Sequence, residues 1–249
     1  MSSRSESKQA ARDARLAAEQ DEAAKQRKQR IWALIGGSVL LAAIVVVILI
    51  VISAGGSGSD EQASGDLAVF DGIPQKGIAL GDPDAPVTLV EFADPQCPFC
   101  KAYTADTMPG LIDKYVQSGD LRMELNLLTF IGPDSEALAR SALAASDQNR
   151  MWQFMDVAFA RQGAENSGYA DQAFIDGVAQ AAGVDADEMS SATDSAAVSR
   201  QLDDASRAAQ DAGVNSTPSF LVGPTGGKLA PVDQDGLGDA IEQALSSSK

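Results

Sequence analysis

Residues 31–52 carry no charge and are dominated by Leu, Ile and Val. About 22 residues rising about 1.5 Å each span about 33 Å, enough to cross a hydrocarbon core of about 30 Å. A transmembrane helix is therefore expected over residues 31–54, with Trp32 where an interfacial aromatic would anchor it. Arg27, Lys28 and Arg30 stand just ahead of the run, and no basic residue comes after it until Lys76. The positive-inside rule then places the N-terminus in the cytoplasm and the remainder of the chain outside, as a single-pass protein of the plasma membrane. Ile52-Ser53-Ala54 loosely resembles a cleavage site. The apolar run, however, exceeds the about 7–15 residues usual in a signal peptide, so an uncleaved anchor is expected, and either reading exports the C-terminal part of the chain.

The flanking segments differ in composition. Residues 1–30 are rich in Ala, Glu, Gln, Lys and Arg and read as a helix-prone cytoplasmic tail. A docking helix for a cytoplasmic partner is the alternative for this tail. Residues 55–66, beginning Gly55-Gly56-Ser57-Gly58-Ser59, form a flexible polar linker. One folded domain is expected over residues 67–249, a length that suits an ordinary core. The formal net charge of −16 argues against nucleic acid, which needs clustered Lys and Arg, and is read as a solubility feature.

Two absences narrow the chemistry. The chain has no histidine, which excludes Ser-His-Asp and Cys-His catalysis and His-ligated zinc or haem. Its two cysteines, Cys97 and Cys100, are three positions apart, so the one possible intrachain bridge is local.

Within the domain, residues 87–92 form a β-rich run between Pro86 and Asp94-Pro95 and read as a buried strand. A helix is expected from the cysteine motif to about residue 118, kinked at Pro109. Residues 121–127 alternate and predict a second strand. Helical segments come next at residues 137–146, 151–161, 170–182 and 197–212, with Trp152, Met155 and Phe159 on one face as core. Residues 218–222 and 228–232 predict a hairpin, and residues 237–245 a final helix.

Cys97-Pro98-Phe99-Cys100 stands directly after a strand and opens a helix. The first cysteine then meets free backbone N–H groups and the positive end of the helix dipole, which favour an anion. Its pKa should fall, making Cys97 the attacking thiolate. Cys100, one turn on, can close a disulfide or resolve a mixed one. Pro98 fits an early helical position, where its missing N–H costs nothing. A zinc knuckle is excluded by the lack of a second pair. An inert short disulfide and a soft-metal site for Cu(I) remain as other uses of the same spacing.

The segment from Gly81-Asp82-Pro83-Asp84-Ala85-Pro86 through Val87-Thr88-Leu89-Val90-Glu91-Phe92 to Asp94-Pro95-Gln96-Cys97-Pro98-Phe99-Cys100 resembles the DsbA-like thioredoxin-domain family of disulfide oxidoreductases, in its membrane-anchored actinobacterial form. Val214-Asn215-Ser216-Thr217-Pro218-Ser219-Phe220 matches the family's second motif. The resemblance implies a thioredoxin-like α/β fold with a helical insertion, preceded by one transmembrane helix. It implies a cis Pro218 beside Cys97, with the Thr217 backbone pairing an extended substrate and Pro98 and Phe99 on the same substrate-facing surface. Glu91 matches the buried acid that handles the proton of the resolving cysteine. A proline that simply starts a strand and a partly exposed strand glutamate are the plainer alternatives for Pro218 and Glu91. The resemblance further implies exported polypeptides bearing thiols as substrates, a membrane reoxidase of the DsbB or vitamin-K-epoxide-reductase type, and no bound cofactor. Phe99 departs from the strong oxidase prototype, which carries a histidine there. Net oxidation is the expected direction. A tethered reductase or isomerase, and a non-enzymatic copper-binding or scaffold domain, are the rivals.

Overall fold

A computed structural model describes residues 67–248. The cytoplasmic tail expected over 1–30, the transmembrane helix over 31–54 and the linker over 55–66 lie outside the described residues. Among the described residues no helix is long and apolar enough to cross a membrane.

After a 3-10 turn at Leu67–Phe70 come two short strands, β1 (Gln75–Lys76) and β2 (Ala79–Leu80), which pair as a hairpin. Then come β3 (Val87–Ala93), β4 (Leu121–Leu127), β5 (Ser219–Pro224) and β6 (Ala230–Val232). They form one mixed sheet in the order β1-β2-β4-β3-β5-β6. β3 lies at its centre, parallel to β4 and antiparallel to β5, with Glu91 opposite Leu125 on one side and Phe220 on the other. Every residue of β3 is buried, as the β-branched run predicts for a strand covered on both faces. Because side chains alternate, Val90 and Phe92 pack with Leu128, Ala205 and Ala209, while Val87, Leu89 and Ala93 join the main core. Glu91 shares the face of Leu89 and Ala93. The outer strands are short, and β6 carries Pro231 in its middle.

The helix after β3 is not continuous to residue 118. It is α1 (Pro98–Asp106), a break at Thr107, α2 (Met108–Leu111) and a π-helical turn at Ile112–Val116. Pro109 has no N–H to give the preceding turn, so the ladder parts just before it, with Thr107 at φ −112° and ψ −46°. The last turn then widens, the Gln117 N–H reaching Ile112 O.

Five helices lie between β4 and β5: α3 (Pro133–Ala145), α4 (Met151–Ala160), α5 (Gln172–Ala181), α6 (Ala186–Thr193) and α7 (Ala196–Asp211). This is the expected helical insertion with one helix more than foreseen. Asp171, Asp185 and Ser195 cap α5, α6 and α7, each accepting the N–H three residues on. α3 starts at Pro133, earlier than residue 137, because proline suits the first helical position. Trp152, Met155 and Phe159 are buried in the main core as expected. The chain closes with α8 (Leu237–Ser247), which packs against β3 and β5.

Candidate active site

The route from β3 to the thiols is built of buried polar groups. Asp94 is buried, yet its carboxylate accepts three hydrogen bonds: Oδ1 from Gln96 N at 2.9 Å and Ser135 Oγ at 2.5 Å, and Oδ2 from Ile131 N at 3.0 Å. A buried carboxylate held this way avoids the cost of an unpaired charge. Gln96, also buried, donates to Ser135 Oγ and accepts the Asn166 N–H at 2.7 Å. Gln162 Nε2 donates to the carbonyls of Pro95 and Cys97 at 2.9 and 3.2 Å. The insertion therefore grips the backbone on both sides of the first thiol. No role was expected of these five residues from the sequence. The signal for them was the polar Asp94-Pro95-Gln96 step between a buried strand and a buried thiol, where polar side chains need partners.

Cys97 is the N-cap of α1, its own N–H bonded to Asp94 O. Its Sγ accepts the Cys100 N–H at 3.4 Å, and in the thiol form it donates to Thr217 O at 3.2 Å. Only 4% of the residue is exposed. Its pKa falls from 9.0 to about 6. Hydrogen bonding from the Cys100 thiol contributes most; hydrogen bonding with Thr217 and the backbone N–H groups of Cys100 and Phe99 add to it, while burial opposes it. Cys100 is fully buried and is pushed strongly the other way, by burial first, then by its bond to Cys97 and the charges of Glu91 and Cys97. Both are free thiols. The pair can thus hold one thiolate at the surface edge above one neutral thiol.

Glu91 is 1% exposed, so the partly exposed alternative is excluded by its position. Burial, and then the charge of Cys97, push its pKa up to about 8. Tyr103 of α1 is also buried and is held as a phenol by burial and the Glu91 charge, its ring packed on Phe220 with centroids 4.6 Å apart.

The Thr217–Pro218 peptide bond is cis and stands immediately before β5. A groove of about 670 Å³ runs beside it, lined by Phe99, Thr217, Pro218, Phe220 and Pro231 among others. Phe99 is 71% exposed at the rim, and Pro98 is exposed next to it. The structure therefore brings Cys97, Cys100, Glu91, Thr217, Pro218 and Phe99 together. Pro98 sits beside them but is not part of the groove wall. Among the described residues no group of His, Cys, Asp and Glu could hold a metal ion.

The family model described as thioredoxin matches residues 74–243, well over half of the chain. The chain belongs to the thioredoxin family. Its thioredoxin domain is 29% identical over 171 residues to a probable disulfide bond formation protein D of Bacillus anthracis, a match covering 67% of this chain and 77% of that one. The fold is that of BdbD from Bacillus subtilis in its oxidised form, with a TM-score of 0.60 and 23% identity, covering 70% of this chain and 97% of that one. A thioredoxin-like oxidoreductase from Silicibacter pomeroyi DSS-3 is 28% identical with a TM-score of 0.56, covering 73% of this chain and 98% of that one. This thioredoxin-family chain is a DsbA-like thiol–disulfide oxidoreductase.

Proposed function

We propose that the chain introduces disulfides into exported polypeptides from an extracytoplasmic domain. In this reading residues 1–30 are a cytoplasmic tail, 31–54 a membrane-spanning helix in the lipid bilayer, 55–66 a linker and 67–249 the catalytic domain. A substrate thiolate attacks Cys97 of the oxidised pair, forming a mixed disulfide while the Cys100 sulfur leaves and takes up a proton. The second substrate thiolate then attacks its neighbour, the substrate disulfide forms, and Cys97 departs as a thiolate. Glu91, buried on β3, supplies the Cys100 proton and takes it back on reoxidation. The Thr217 backbone pairs an extended substrate along the groove, with Phe99 and Pro98 at its rim. A membrane reoxidase of the DsbB or vitamin-K-epoxide-reductase type returns the pair to the disulfide.

One observation carries the direction: Cys97 is held as a low-pKa thiolate above a Cys100 kept neutral. Stabilising the reduced form in this way makes the oxidised form an electron acceptor. Two measurements test the reading. The full chain, equilibrated in glutathione buffers, should have a potential between about −270 mV and about −120 mV, nearer the second. A value at or below the first would make it a reductase. Alkaline phosphatase fused after Lys249 should be active; a stable but inactive fusion would reverse the proposed orientation.

A further inference from the structure

Behind the thiol pair, between β3 and α4, lies a small cavity walled by Glu91, Thr104, Leu125, Trp152, Asp156 and Phe159, among others. It leaves about 10 Å³ for the centre of a water molecule, which is room for one water. Two atoms of its wall residues are buried and have no hydrogen-bond partner within the protein: Glu91 Oε1 and Trp152 Nε1. Glu91 is 1% and Trp152 2% exposed. The indole nitrogen can only donate, whereas a carboxyl oxygen accepts, or donates when protonated. A single water in the cavity would complete both by accepting from Trp152 and bonding to Glu91, as buried waters characteristically do for buried polar groups.

The same wall contains an outlet. Asp156 is partly exposed, whereas the other residues of the wall are buried. Its Oδ2 is itself a buried atom. The titratable groups around Glu91 are Cys97 and Cys100 at the start of α1, Tyr103 further along α1, and Asp156 on α4; β4 and β5 place Leu125 and Phe220 beside it. Tyr103 is fully buried and is not part of the cavity wall, so it opens no route to solvent. Of these groups, Asp156 alone is a carboxylate that spans from the cavity to the surface.

We propose that this cavity is a water site joining Glu91 to Asp156, and that Asp156 is where the proton handled by Glu91 exchanges with solvent. This rests on Glu91 serving Cys100 as above and adds the path. On reoxidation the Cys100 sulfur attacks a mixed disulfide on Cys97, the partner's thiolate leaves, and the Cys100 proton passes to the Glu91 carboxylate. Glu91 gives a proton to the water, the water gives one to the Asp156 carboxylate, and Asp156 releases it. Substrate oxidation runs the same path inward. α4, part of the helical insertion, thereby takes part in chemistry centred on the thioredoxin core.

The test is the rate at which the reduced full chain is oxidised by glutathione disulfide, measured across pH for Asp156→Asn, Trp152→Phe and Glu91→Gln, with and without added imidazole. Asp156→Asn should slow the Cys100-dependent step roughly tenfold near neutral pH, a loss at the low end for acid–base groups. Imidazole, reaching the surface end of the path, should restore most of that rate. Trp152→Phe, which removes the donor to the water but keeps a ring, should give a smaller loss. A slowed Asp156→Asn that imidazole leaves unmoved would mean a structural role only and would overturn the path. A wild-type rate and pH profile for Asp156→Asn, beside a slowed Glu91→Gln, would overturn the path and leave the role of Glu91 standing. Wild-type behaviour of Glu91→Gln as well would remove both.

Discussion

The sulfur of Cys97 and the carbonyl oxygen of Thr217 are 120 residues apart in the chain and 3.2 Å apart in the fold. The atom proposed to attack and the backbone proposed to pair its substrate therefore share one point, where an extended polypeptide laid along Thr217 would present its own cysteine to Cys97. Cys100→Ser should accumulate mixed disulfides through Cys97, and Cys97→Ser should accumulate few. Non-reducing electrophoresis of tagged variants reads this directly, and equal trapping by both would contradict the assignment of roles.

Alkylation of Cys97 in the reduced protein should trace a thiolate titration with a midpoint near pH 6. The largest lowering influence is the Cys100 thiol, so Cys100→Ala should move the midpoint upward, toward the free-thiol value of about 8.5. If the midpoint is unmoved by this substitution, the helix terminus alone governs Cys97. Iodoacetamide rates across pH distinguish the two.

The same titrations set opposite stability trends in the reduced protein. Cys97 has a folded pKa below its unfolded value, so its contribution is full above about pH 9 and is lost as pH falls through about 6. Glu91 has a folded pKa raised from 4.5 to about 8, so stability is full below the first value and is lost as pH rises through the second. Glu91→Gln imitates the protonated acid. It should leave stability nearly unchanged at about pH 4 and raise it above about pH 8 by on the order of 5 kcal/mol. Urea unfolding of both proteins at the two pH values checks the sign.

Phe99→His should raise the reduction potential and lower the Cys97 midpoint further, because an imidazolium stabilises the adjacent thiolate and hence the reduced form. Phe99 is exposed, so the substitution disturbs no core contact. Glutathione equilibration measures the shift, and a fall in potential would count against thiolate stabilisation as the controlling influence.

Gly132 has φ of +155°, and a Cβ built on it would lie 2.0 Å from Asn166 Oδ1. Asn166 in turn holds Gln96 and donates from Nδ2 to Ile131 O. Gly132→Ala should destabilise the domain by about 1–3 kcal/mol and loosen the seat of the motif, measured as a lower denaturant midpoint.

How far each feature can be read from the sequence depends on how local it is. β3 and β4 were legible because their burial is written as β-branched runs and alternation, and α1 because Cys97 and Pro98 mark its start. The buried position of Glu91 and the cis bond before Pro218 were anticipated through family resemblance, since neither residue type declares such a setting alone. α6 was missed because Met189 is its only buried residue, leaving no apolar period to detect. β1 and β2 were missed because two-residue strands exist through pairing rather than propensity. The clasp of Asp94, Gln96, Ser135, Gln162 and Asn166 draws on three separate segments, so only the fold reveals it.

The ends of the sheet have a consequence for the function proposed above. Unfolded clients would arrive with β-prone segments exposed, and a long open strand would invite them to add on and stay. β1 is two residues long, and Pro231 interrupts the donors of β6. Neither margin can seed a growing sheet. In the proposed reaction contact with a client would be confined to the groove beside Thr217, so a client whose thiols have been joined would leave without nucleating an aggregate on the enzyme.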